Sequence, residues 1–104
     1  MQVLRITRGK IRPGSWDQFE AALHEAINKV GDVPGLISRS LVRNVDDPDE
    51  GYAISIWESM DAIRHYEASE LAKTVTPMIQ SFFTGDYRCD HCEIRYWDVK
   101  TSGH

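Results

Sequence analysis

The stretch YAISIWESMDAIRHY, Tyr52 to Tyr66, changes period once, and that change decides the fold. Over Tyr52-Ala53-Ile54-Ser55-Ile56-Trp57 the side chains alternate with period two and are rich in β-branched and aromatic types, which predicts a strand. Ser59 then stands where a helix start needs an acceptor for its free amides, and Ile63 and Tyr66 recur at helical spacing. A strand therefore hands over to a helix within two residues.

Toward the N-terminus, the polar segment Asp46-Asp47-Pro48-Asp49-Glu50-Gly51 separates this strand from another over Leu36–Arg43, and the two are expected to pair as an antiparallel hairpin. Its acidic run does not follow a calcium-loop pattern and reads as solvated turn chemistry. Asp32-Val33-Pro34-Gly35 turns the chain into that hairpin, and Gly31 suits a helix end. The helix before it has Trp16, Phe19, Leu23, Ala26, Ile27 and Val30 on one stripe about 100° wide. His24 falls outside the stripe and reads as solvated. Ser15 with Gln18 predicts a capping box at the helix start, after a Pro13-Gly14 break. Before that break, Val3 to Ile11 reads as a strand with Leu4 and Ile6 on one face and Val3, Arg5 and Thr7 on the other.

Toward the C-terminus, Ser69 provides a second cap, and Leu71, Val75, Met78 and Phe82 keep helical spacing. Pro77 predicts a kink or restart there. Gly85 ends the helical region, and Tyr87 to Trp97 reads as the last strand. The order β-α-β-β-α-β predicts a ferredoxin-like α+β fold: a four-stranded antiparallel sheet with both helical regions on one face. Residues 1–97 form one domain on this reading, and 98–104 a fraying polar tail. The second sheet face would expose a large apolar patch, so a homodimer is expected.

The 104 residues suffice for a core without staples, and 41% hydrophobic with 27% charged residues describes an ordinary globular chain. A net charge of -4 and the lack of a Lys/Arg run argue against a nucleic-acid partner. With no signal-like or membrane-length apolar segment, a cytoplasmic protein without a membrane association is expected. Cys89 and Cys92 bracket Asp90-His91 in a pattern similar to a metal or redox site. On a strand rising about 3.3 Å per residue, however, they stand about 10 Å apart on opposite faces. That distance forbids a disulfide, and no second ligand pair completes a zinc site. The reading is two reduced thiols, with no metal.

Pro34-Gly35-Leu36, then Tyr52 through Ser59 running into Asp61-Ala62-Ile63-Arg64-His65-Tyr66, and Ser69 beyond, resemble the antibiotic biosynthesis monooxygenase-like (ABM) family of the dimeric α+β barrel superfamily. The resemblance covers roughly Met1 to Trp97. It implies oxygenation of quinols or aromatic polyketides without metal or flavin, hence no cofactor, in a pocket between sheet and helices. Such chemistry needs a proton acceptor, donors for a developing oxyanion and an apolar enclosure. Trp57 matches the family's strand-end tryptophan. Ala53 and Ile63 stand where antibiotic-pathway members place polar partners. A haem-degrading branch of the superfamily uses a tryptophan and a histidine ligand where this chain has Tyr66 and Thr76, so that activity is rejected.

His65 is the titratable side chain of the motif and the expected catalytic group, while Trp57, Tyr66, Phe82 and Arg5 are the expected substrate-binding residues. Arg5, Arg39 and Arg95 lie in strands, where each either meets an anionic substrate group or pairs with Glu93 or with a carboxylate across the dimer interface. The sequence thus points to a cofactor-independent monooxygenase acting on a small quinol-like or phenolic aromatic molecule. The alternative is a non-catalytic or stress-response barrel binding a small apolar ligand.

Overall fold

A computed structural model describes residues 1–85 and 87–99, apart from the side chain of Val30. Its elements are β1 (Val3–Lys10), α1 (Trp16–Val30), β2 (Leu36–Arg43), β3 (Glu50–Trp57), α2 (Met60–Glu67), α3 (Glu70–Gln80) and β4 (Arg88–Glu93). The strands form one sheet in the order β2-β3-β1-β4, with every pair antiparallel. This is the ferredoxin-like arrangement the element order predicts. The expected fraying of 100–104 and the inward position of Val30 fall outside the described residues.

The alternation of β1 sorts the sheet into two faces. Val3 and Thr7 are buried beneath the helices, and register carries that face across Trp57, Ser55 and Ala53 of β3. Two clusters fill the space under the helices. Val3, Trp57 and Ile63 form one, near the start of β1; Ile11, Trp16 and Phe19 form the other, at its far end. Leu4, Ile6, Tyr52, Ile54 and Ile56 take the opposite face by the same alternation, and no helix covers it.

The caps separate into two kinds. Ser59 and Ser69 are extended, and each hydroxyl accepts the amide three residues on, from Ala62 at 3.1 Å and from Ala72 at 3.2 Å. Ser15 does not form the predicted capping box. Its own N–H is spent on the Arg12 carbonyl in the Pro13-Gly14 turn, which leaves φ at -98° and ψ at 4°, away from the extended geometry that aims a capping hydroxyl.

Pro77 neither ends nor restarts α3, which runs on to Gln80. With three helical residues left after it, the helix forfeits one amide bond and little else. The last strand is shorter than Tyr87–Trp97, because pairing with β1 stops at Val3 opposite Glu93. One further bond, from Ile94 N–H to the Gln2 carbonyl, ends the ladder. In the acidic loop, the Asn44 side-chain oxygen accepts the amides of Asp46 and Asp47. Lys10 Nζ meets Asp47 at 2.9 Å, a hydrogen bond that holds the Asp47 carboxyl below its ordinary pKa and the Lys10 ammonium above its own.

Gly35 fastens the hairpin to α2. Its φ is +82°, its carbonyl accepts the Glu58 N–H at 2.8 Å, and a Cβ built there would stand 2.5 Å from the Ala62 methyl. Only a residue without a side chain fits that approach.

Candidate active site

Register places one polar row across the helix-facing side of the sheet. Arg5 of β1 is paired with His91 of β4 and with Ser55 of β3, and Ser55 is paired in turn with Arg39 of β2. One residue from each strand thus contributes to the row. The neighbouring rows are largely apolar: Val3, Trp57 and Leu36 on one side, Thr7, Ala53 and Leu41 on the other.

Arg5, Ser55 and Arg39 of this row, with Leu36, Leu41 and Ala53 beside them, floor a cavity of about 220 Å³. Leu23 and Ile27 of α1 with Val75 and Ile79 of α3 roof it, and Trp57 and Tyr66 form one wall. Among the described residues, three that line it can carry positive charge, Arg5, His24 and Arg39, and none is a carboxylate. An engineered apolar cavity of about 150 Å³ accepts benzene, so this space suits one aromatic ring with substituents or a compact pair of rings.

Each wall group is held by its own contacts. Trp57 is 3% exposed, and its indole N–H donates to Ser55 Oγ at 2.8 Å, which fixes the ring and satisfies a buried donor. The Tyr66 ring lies 5.4 Å from it at an interplanar angle of 39°. Arg5 Nε donates to Glu67 Oε2 at 3.2 Å, and His91 Nε2 lies 3.5 Å from the same oxygen. Glu67 therefore sits between two groups of the row and balances the charge of Arg5.

Of the residues singled out by sequence, Trp57, Tyr66 and Arg5 come together around this cavity. His65 does not. It is exposed on α2 and outside the lining, because at about 100° per residue it stands roughly 100° from Tyr66 and 200° from Ile63, away from the inward stripe. Phe82 is also elsewhere: it packs 5.5 Å from Phe19, under the Arg12 guanidinium, at the end of the sheet remote from Trp57. Two further charged residues border the cavity: Arg39, which the sequence offers with Arg5 and Arg95 as a contact for an anionic group, and His24, which is exposed as the sequence reading expects and yet stands at the edge of the space. His24 lies on the margin of the α1 stripe, about 60° from Ile27, and this proximity was the available signal.

Cys89 pairs with Thr7 and Cys92 with Leu4, so the thiols do face opposite sides, and both are free. Among the described residues no three His, Cys, Asp or Glu side chains gather as a metal site. No helix of the described residues is long and apolar enough to cross a membrane.

The model of the antibiotic biosynthesis monooxygenase family matches residues 2–76, which span β1 through most of α3. The chain belongs to that family. Its fold is similar to that of SnoaB, a cofactor-independent oxygenase from Streptomyces nogalater solved as a point mutant, with a TM-score of 0.81 at 20% identity over 92% of this chain and 95% of that one. A conserved protein from Methanosarcina mazei Go1 gives 0.78 at 11% identity over 88% and 90%. A candidate antibiotic biosynthesis monooxygenase from Bordetella bronchiseptica gives 0.79 at 18% over 91% and 98%. Compared with curated proteins, the sequence finds no significant match. At these identities the structural likeness speaks to fold alone. In this member of the antibiotic biosynthesis monooxygenase family, Trp57, Tyr66, Arg5, Ser55 and Arg39 all fall inside the matched span, while Ile79 of the roof, Phe82 and β4 lie beyond it.

Proposed function

We propose that this protein is a cofactor-independent monooxygenase that oxidises a small phenolic or quinol-like ring. The observation that carries the reading is the cavity, an apolar enclosure for one or two rings whose polar floor bears cations and no carboxylate. Such a floor favours the anionic form of a bound phenol or enol over its neutral form. The anion is then rich enough to reduce dioxygen directly. For a ring methylene, the two C–H bonds are replaced by a C=O bond, dioxygen supplies the carbonyl oxygen, and its second oxygen leaves as water with both hydrogens. All four electrons come from the substrate, so no external reductant enters.

In this reading Trp57 and Tyr66 hold the ring, and Arg5, kept in place by Glu67, stabilises charge as it develops on oxygen. His24 takes the role expected for His65, since an imidazole can serve as a general acid and base and, of the described histidines, His24 is the one that borders the cavity. Oxygen uptake with a panel of anthrones and hydroquinones tests this. Uptake should exceed the buffer rate and fall about a hundredfold in His24→Ala while His65→Ala stays near wild type. Uptake at the buffer rate throughout, or loss in His65→Ala alone, would overturn the assignment. One observation favours the second reading, a non-catalytic binder of small apolar ligands: the apolar Ala53 and Ile63 occupy positions where the family resemblance expects polar partners.

We also infer a homodimer closed through the helix-free sheet face, where Leu4, Ile6, Tyr52 and Ile54 make a contiguous apolar surface. Sedimentation should give twice the 11.9 kDa chain mass, and Ile54→Glu should give a monomer. A folded wild-type monomer at micromolar concentration would refute the inference.

A further inference from the structure

We propose that the ligand of this cavity is an aromatic acid, with its ring against Trp57 and Tyr66 and its carboxylate held by the guanidinium of Arg39. This names the substrate class for the oxygenase reading and rests on it only for the choice of pocket.

The first argument is charge. Arg39 is the one arginine among the described residues with no protein partner: every other one meets a carboxylate, a carbonyl or an aromatic ring. Arg5, its counterpart on the polar row, is already balanced by Glu67. Asp32 borders a second hollow together with Arg39, yet its carboxylate is not within the 4.0 Å of an ion pair. An unspent guanidinium thus stands at one end of the row, facing a space with no acidic lining.

The second argument is position. Arg39 is exposed while Trp57, Val33 and Leu36 beside it are buried or half-buried, so it stands at the solvent side of the cavity. A ligand inserted ring first leaves its ionised group at that mouth, where desolvation is least costly. The third argument is shape. A guanidinium presents two parallel N–H donors that match the two oxygens of a carboxylate, whereas a phenolate or alcohol offers one. The volume of about 220 Å³ leaves room for one ring or a compact fused pair and little more, which places the ionised group at the mouth.

Calorimetric titration with 1-naphthoate and with 1-naphthylmethanol tests the proposal, and needs no turnover. The wild-type protein should bind the acid about tenfold more tightly than the alcohol, a preference that shrinks as salt is raised. Arg39→Gln should abolish the preference and leave alcohol binding unchanged, which also shows that the variant is folded. Arg39→Lys, which keeps the charge without the fork, should restore part of it. Equal affinities in the wild type, binding of neither probe, a preference that survives Arg39→Gln, or one lost in Arg5→Gln instead would each overturn the proposal. Oxygen uptake with uncharged hydroquinones but no preference for the acid would sink this inference and spare the oxygenase reading. Acid preference without oxygen uptake would do the reverse.

Discussion

Ile63→Ala should lower the unfolding free energy by about 3 kcal/mol, read as a fall in the urea midpoint at fixed protein concentration. Ile63 is 0% exposed and packs with Val3 and Trp57, so the truncated methyl groups leave a void that α2 and β1 cannot jointly collapse to fill. Because Trp57 also walls the cavity, the same substitution should loosen its indole and weaken binding of an aromatic probe. Ile63→Val, which removes one methylene, should cost about 1 kcal/mol. A loss in Ile63→Ala no greater than that of Ile63→Val would show that the cluster is not the tight packing described.

Gly35→Ala should cost about as much by a different route. A φ of +82° penalises any side chain by about 1 to 2 kcal/mol, and the added methyl would meet the Ala62 methyl at 2.5 Å. Ala62 has no rotamer to give, so α2 itself must move, at about 1 to 3 kcal/mol. The two contributions separate in a double-mutant cycle. Ala62→Gly should relieve the collision but not the dihedral strain, giving a favourable coupling of about 1 to 2 kcal/mol in the double variant. Strict additivity would mean that the collision is absorbed elsewhere and that only the backbone conformation matters.

Much of the fold is legible in the chain because local chemistry and global topology agree. Ser59 and Ser69 cap as their positions suggest, and β2 runs from Leu36 to Arg43 as its boundaries predict. Alternation along Val3 to Thr7 sorts residues onto the correct faces. What failed depended on backbone geometry or pairing outside the stretch that carries the pattern. Ser15 matches a capping box, but the turn before it sets its backbone. The end of β4 depends on where β1 begins, which Tyr87 to Trp97 do not record.

The site divides in the same way. Trp57 and Tyr66 are placed by strand and helix period, and their meeting follows from the short link between β3 and α2. Helical rotation, applied strictly, would have excluded His65 and left His24 at the cavity's margin. Arg39 is different in kind. Its significance is that none of the described residues pairs with it, and such a lack is a property of the folded arrangement that no local pattern carries.

The polar row has a consequence for how the protein comes to recognise anything. Four strands each supply one letter of it, and two of those strands are the outermost, so no excised fragment spells the word. Slide any single strand by one position and its letter turns over to the back of the page. Recognition and correct threading are therefore acquired together, and a misaligned molecule is blind as well as misfolded.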